Sequence, residues 1–163
     1  MLGVDDGGLA YWVACIRECF EEAGVLLATR DDGVLLPLTD PERRARFAAW
    51  RDRLNAGEKD AFETMCQGEG LRLATDRLAY VSHWITPITE PRRYNTRFFV
   101  ARAPEAQEAL HDGFETVESA WIRPSVALDR YARGELNLIS PTFTNLEGCL
   151  LYTSTSPRDI GES

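Results

Sequence analysis

Glu18, Glu21 and Glu22 stand at positions i, i+3 and i+4, a spacing that gathers side chains onto one patch of a helix. Like charges so placed repel one another by about 0.2–0.5 kcal/mol per pair. A hard divalent cation relieves that repulsion, and carboxylate oxygens are the donors that Mg²⁺ and Mn²⁺ prefer. Arg17 lies four residues before Glu21, where a salt bridge can fix the glutamate rotamer. The simpler account of such a group is a solvated acidic face, which is what most charged helix faces are. Residue types alone leave both readings open.

The carboxylates need a helix to carry them. At about 100° per residue, Leu9, Trp12, Val13, Ile16, Cys19, Phe20 and Ala23 fall in one sector and the three glutamates in the opposite one. The pattern predicts an amphipathic helix over 9–23, stopped by Gly24 as its C-terminal cap. The apolar run 25–28 reads as a short strand and 29–33 as a turn. Asp40-Pro41-Glu42 opens a second helix whose buried face carries Phe47, Trp50 and Leu54, and Gly57 interrupts it. A short helix is expected over 60–67. The β-branched and aromatic segments 78–86 and 94–102 read as strands, joined by a Pro-containing turn. Helices are expected over 104–111 and 124–133, the latter ended by Gly134, and another begins near Pro141. Residues 115–123 read as a strand. No internal repeat is present.

The run Arg17-Glu18-Cys19-Phe20-Glu21-Glu22-Ala23-Gly24-Val25 resembles the second half of a Nudix box, R-E-U-x-E-E-x-G-U, where U is apolar. Every fixed position is met, with Cys19 and Val25 as the two U residues. The longer run CIRECFEEAGVLLA, together with HWITP (83–87), RRYNTRFFVA (92–101) and ESAWIRPSVAL (118–128), resembles the coenzyme A diphosphatase-like subgroup of Nudix hydrolases. That subgroup carries a long insertion inside the box. The first half of the box is not met: Leu9 stands where the usual spacing asks for glutamate, and Gly3, which does fall where a glycine is asked for, is read as coincidence. Met1 then falls inside the insertion, so the chain is expected to be a fragment without the early strands. The resemblance covers roughly 9–147. It implies an α/β fold of the Nudix type, a mixed sheet between helices in an α/β/α sandwich, with a Nudix domain over 1–148.

By the same resemblance Glu18, Glu21 and Glu22 are the ligands of Mg²⁺ or Mn²⁺ and share the catalytic work, while Arg17 orients a glutamate. Glu115 and Glu118 are candidates for a general base outside the box. Arg92, Arg97 and Tyr94 are candidate substrate ligands, the arginines by pairing with phosphate and the tyrosine by stacking on adenine. Each also has an ordinary reading, as strand-edge arginine or packing aromatic. The implied function is metal-dependent hydrolysis of a nucleoside diphosphate linkage in coenzyme A or its acyl thioesters. Another Nudix substrate, a dinucleotide or ADP-ribose, and a non-catalytic nucleotide-binding fragment are the alternatives.

Composition bounds the rest. The chain has 163 residues, 44% of them apolar and 27% charged, which suits one globular domain. A net charge of −8 without a basic stripe argues against a nucleic-acid partner; an anionic small molecule can still bind through a metal. No apolar run approaches the roughly 20 residues of a membrane span. Cys15, Cys19, Cys66 and Cys149 match no zinc spacing and read as reduced thiols of a cytoplasmic protein. A small-molecule diphosphate is therefore the expected partner, with a homodimer left open. His83 and His111 sit in no ligand spacing and read as structural. The Ser/Thr-rich stretch 149–163 is expected to be disordered and non-native, because CLLYTSTSPRD resembles translated sequencing-adapter DNA.

Overall fold

The computed structural model describes residues 7–109 and 120–154, with side chains through Leu151. The order of elements is α1 (Gly8–Ala23), β1 (Ala28–Thr29), α2 (Pro41–Asn55), α3 (Ala61–Gly68), β2 (Arg72–Leu73), a 3₁₀ turn (Thr75–Arg77), β3 (Leu78–Ile85), β4 (Asn95–Ala101), α4 (Pro124–Ala132) and α5 (Ser140–Ser154). The α/β class expected from the sequence is what is found. Among the described residues the strands form two two-stranded sheets, β1 with β2 and β3 with β4. The first is antiparallel, with Ala28 opposite Leu73 and Thr29 opposite Arg72. The chain divides into two compact units, with breaks between Tyr80 and Val81, Thr96 and Arg97, and Ser119 and Ala120.

The first unit holds the core. Ile16 and Phe20 of α1, Leu26 and Leu27, Leu36, Phe47 and Leu54 of α2, and Ala61 and Met65 of α3 are buried together. Phe20 and Phe47 meet edge to face, ring centroids 6.3 Å apart, the arrangement that ring quadrupoles favour. Each large side chain buried here stabilises the fold by about 1.5–3 kcal/mol. The core thus ties α1 to α2 through the apolar sector anticipated from the sequence, although Leu9, at the open end of α1, is 64% exposed. Local signals set the ends of these helices. Gly24 takes left-handed backbone (φ 69°) and its N–H bonds to the Phe20 carbonyl. Asp40 accepts a bond from the Arg43 N–H at the start of α2, with Pro41 following.

Three expected elements differ. Residues 25–27 are buried but not in a strand, which is confined to Ala28–Thr29. The Gln107 side chain explains this: it accepts from Leu26 N (2.8 Å) and donates to the Leu26 and Leu36 carbonyls (2.9 and 2.8 Å). An amide side chain, rather than a neighbouring strand, satisfies that buried backbone. The same bonds hold residues 104–109 out of a helix; only a turn at 105–106 remains of the one expected there. Finally, α5 continues to Ser154, so the first residues of the stretch expected to be disordered are helical. The expected strand over 115–123 lies outside the described residues up to 119, and 120–123 are irregular.

In the second unit α4 packs on α5. Ala127 is buried, and the Tyr131 and Phe143 rings lie 5.1 Å apart. Ser82 donates to the Asn145 side-chain carbonyl (2.7 Å), fixing β3 to α5. His83 is exposed and bonds to the Asn95 side chain. His111 lies outside the described residues.

Candidate active site on the first helix

The four box residues sit on α1. One Nη of Arg17 donates to both carboxylate oxygens of Glu21 (2.6 and 2.7 Å), and the other Nη reaches Glu18. The i, i+4 bridge inferred from spacing is therefore formed. The Glu21 carboxylate is the more enclosed of the two, with 16% of its side chain exposed against 49% for Glu18. Glu22 lies on the Glu18 side of the helix and raises the Cys19 thiol electrostatically, after burial and Cys15; together these push Cys19 up to about 11. Burial also pushes the Cys15 thiol up. Both sulfurs thus ionise less readily than a free thiol.

A cavity of about 280 Å³ opens beside the Arg17–Glu21 pair. Its far wall is the end of α2 and the turn into α3: Leu54, Gly57, Glu58, Asp60 and Phe62. Arg53 holds Glu58 (Nε to Oε2, 2.7 Å) and keeps its carboxyl below the ordinary range. Asp60 has left-handed backbone, φ 61°, which costs a side-chain-bearing residue about 1–2 kcal/mol. Strain of this kind collects at functional clefts. None of these residues was assigned to a site from the sequence, where Leu54 and Gly57 read only as core and helix end, since nothing local marks a turn that meets α1 only in three dimensions.

The donor chemistry of α1 fits a hard divalent cation, because all three candidates offer carboxylate oxygens. In the arrangement present, the Arg17 guanidinium supplies the positive charge between Glu18 and Glu21. No group of three or more His, Cys, Asp or Glu side chains is gathered to hold a metal ion among the described residues.

The substrate candidates part company. Arg97 lies half-buried on β4 with its guanidinium 3.7 Å from the centroid of the Tyr11 ring, a stacked cation–π contact. Tyr11 stands seven residues, or two helical turns, before Glu18, so Arg97 is held on the same face of α1 as the carboxylates. Arg92 and Tyr94 are exposed on the connection between β3 and β4 in the second unit. Glu115 and Glu118 lie outside the described residues.

The NUDT19 Nudix domain family model matches residues 5–148. The chain belongs to the Nudix hydrolase family. This Nudix domain is 29% identical over 170 residues to the acyl-coenzyme A diphosphatase NUDT19 of Gallus gallus, covering 94% of the chain and 43% of that protein. It is 29% identical over 154 residues to the acyl-coenzyme A diphosphatase NUDT19 of Homo sapiens, covering 91% and 41%. It therefore spans about two fifths of the length of these relatives. Among solved structures it is similar to a NUDIX hydrolase from Alicyclobacillus acidocaldarius, with a TM-score of 0.72, 26% identity, and coverage of 89% of this chain and 63% of that one. No helix among the described residues is long and apolar enough to cross a membrane.

Proposed function

We propose that this Nudix domain carries the catalytic helix of a divalent-metal-dependent diphosphatase acting on coenzyme A or its acyl thioesters. The observation that supports it most is the complete R-E-U-x-E-E-x-G-U run, its arginine and three glutamates on one helix that Gly24 caps, with Arg17 already holding Glu21. The names of the relatives supply the substrate class. Glu18, Glu21 and Glu22 would hold Mg²⁺ or Mn²⁺ through carboxylate oxygens. Held there, such an ion would supply activation of an attacking water and charge neutralisation on the diphosphate. Arg17 orients Glu21 and balances part of the carboxylate charge. Arg97 would face a substrate phosphate from the Tyr11 side of α1; Arg92 and Tyr94 are proposed as substrate ligands from the sequence alone. Cleavage of the diphosphate would give 3′,5′-ADP and a 4′-phosphopantetheine product. The Cys15 and Cys19 thiols suit a reducing compartment such as the cytoplasm.

A second reading has an observation in its favour. Arg17 ties up both Glu18 and Glu21, as would suit a domain that holds nucleotide without turning it over. A panel of coenzyme A, acetyl-coenzyme A, ADP-ribose and a dinucleotide, each with and without Mg²⁺, separates the readings. Selective Mg²⁺-dependent cleavage of the coenzyme A compounds supports the proposal. Preference for ADP-ribose or the dinucleotide replaces the substrate, and nucleotide binding without any product favours the non-catalytic reading.

A further inference from the structure

The end of α1 is gripped from outside. Arg51, on the third turn of α2, donates from Nε to the Glu21 carbonyl (2.8 Å) and from Nη2 to the Glu22 carbonyl (2.7 Å). These are two of the last carbonyls of α1, which have no partner within the helix. A cation here also meets the negative end of the helix dipole. The contact is partly buried and joins residues 29 and 30 apart in sequence. Moreover, the bonds fall on the backbone of two of the three glutamates that carry the proposed site. Three residues on from Arg51, Leu54 is buried and lines the cavity beside Glu21. The same helix therefore holds the frame of the site and forms one of its walls.

We infer that Arg51 is a positioning residue of the active site: its fork fixes the last turn of α1, so that Glu21 and Glu22 present their carboxylates in one geometry. Gly24, next along the chain, cannot do this alone. Its N–H bonds to the Phe20 carbonyl and leaves those of Glu21 and Glu22 to Arg51. The planar fork matters, because it reaches two acceptors at once from a preorganised group, whereas a lysine ammonium is a point donor on a flexible stem. The inference deepens the proposed function and rests on the reading that the box glutamates hold a divalent cation.

The test uses the folded full chain and the variants Arg51→Ala, Arg51→Lys, Arg46→Ala and Glu21→Gln. Arg46 is on the same helix but faces Glu69 (Nε to Oε1, 2.7 Å), so Arg46→Ala controls for loss of an α2 arginine. Two quantities are read: amide hydrogen exchange in a peptide covering 17–24, and Mn²⁺ affinity by electron paramagnetic resonance without substrate. Arg51→Ala should speed exchange in the last turn of α1 and weaken Mn²⁺ binding by about 10- to 100-fold, the usual effect of losing a group that orients metal ligands. Arg51→Lys should recover part of both, and Arg46→Ala should change neither. Unchanged exchange in Arg51→Ala overturns the inference, as does faster exchange with wild-type Mn²⁺ affinity, since Arg51 would then be a helix cap alone. If wild type binds Mn²⁺, Glu21→Gln abolishes that binding and Arg51→Ala leaves it at the wild-type affinity, the inference on Arg51 fails while the metal site stands. If wild type binds no Mn²⁺, the metal reading fails and takes the inference with it.

Discussion

Glu21→Gln should separate chemistry from folding. The substitution keeps the shape of the side chain and removes its charge, so its structural cost is confined to the bridge with Arg17. That bridge is an i, i+4 pair on one helix with 38% of the Arg17 side chain exposed. Pairs of this kind contribute about 0.3–1 kcal/mol, and a glutamine carbonyl can still accept one bond from Arg17. For a chain of this length 1 kcal/mol shifts the melting temperature by roughly 2–4 °C, so the variant should melt within about 4 °C of wild type. The catalytic cost should be far larger. Groups that stabilise transition-state charge in a preorganised site are worth about 100- to 1000-fold in turnover, or roughly 3–4 kcal/mol. The assay is release of 3′,5′-ADP at saturating Mg²⁺, paired with a melting curve on the same preparation. Turnover within a few-fold of wild type would remove Glu21 from the site. A collapse in melting temperature would show that the Arg17–Glu21 pair is structural and that the inference from its geometry was mistaken.

Gln107→Ala should lower the urea midpoint without changing the slope, because it strips one acceptor and two donated bonds from buried backbone at Leu26 and Leu36; a loss of about 1–3 kcal/mol is expected, and an unmoved midpoint would refute it. Gly24→Ala places a Cβ on left-handed backbone at φ 69° and should cost about 1–2 kcal/mol, read as a drop in melting temperature; an unchanged curve would mean that the cap reforms without strain. Cys19, pushed up to about 11 chiefly by burial, should be alkylated at pH 8 on the order of a hundredfold more slowly than in the urea-unfolded chain. Its rate should still climb between pH 9 and 10, and equal rates in folded and unfolded protein would contradict that environment.

The box helix was legible because its signals are local. The 3.6-residue spacing of Ile16 and Phe20, the glycine at 24 and the Arg17 to Glu21 interval each act within a few residues. The start of α2 was legible for the same reason, with Asp40 and Pro41 adjacent. The alternation of β3 appears as half-buried Leu78, Tyr80, Ser82 and Trp84 between exposed neighbours. What could not be read depends on partners far along the chain. The backbone of Leu26 is satisfied by Gln107, 81 residues away, so an apolar run that looked like a strand stays irregular, and the segment around Gln107 does not coil. Arg51 shows nothing in its neighbours that points to Glu21 and Glu22, and the Glu58–Asp60 wall of the cavity becomes visible only once α2 has packed on α1. Arg97 was legible as a cation on a strand, but its hold on Tyr11 was not.

The central claim is that the glutamates of α1 support metal-dependent cleavage of a coenzyme A diphosphate. The most direct test incubates the folded chain with coenzyme A, with and without Mg²⁺, and follows 3′,5′-ADP. The account predicts release that requires Mg²⁺ and is lost in Glu21→Gln. Release that persists in a chelator, or a folded chain that yields no 3′,5′-ADP at any Mg²⁺ concentration, would contradict it.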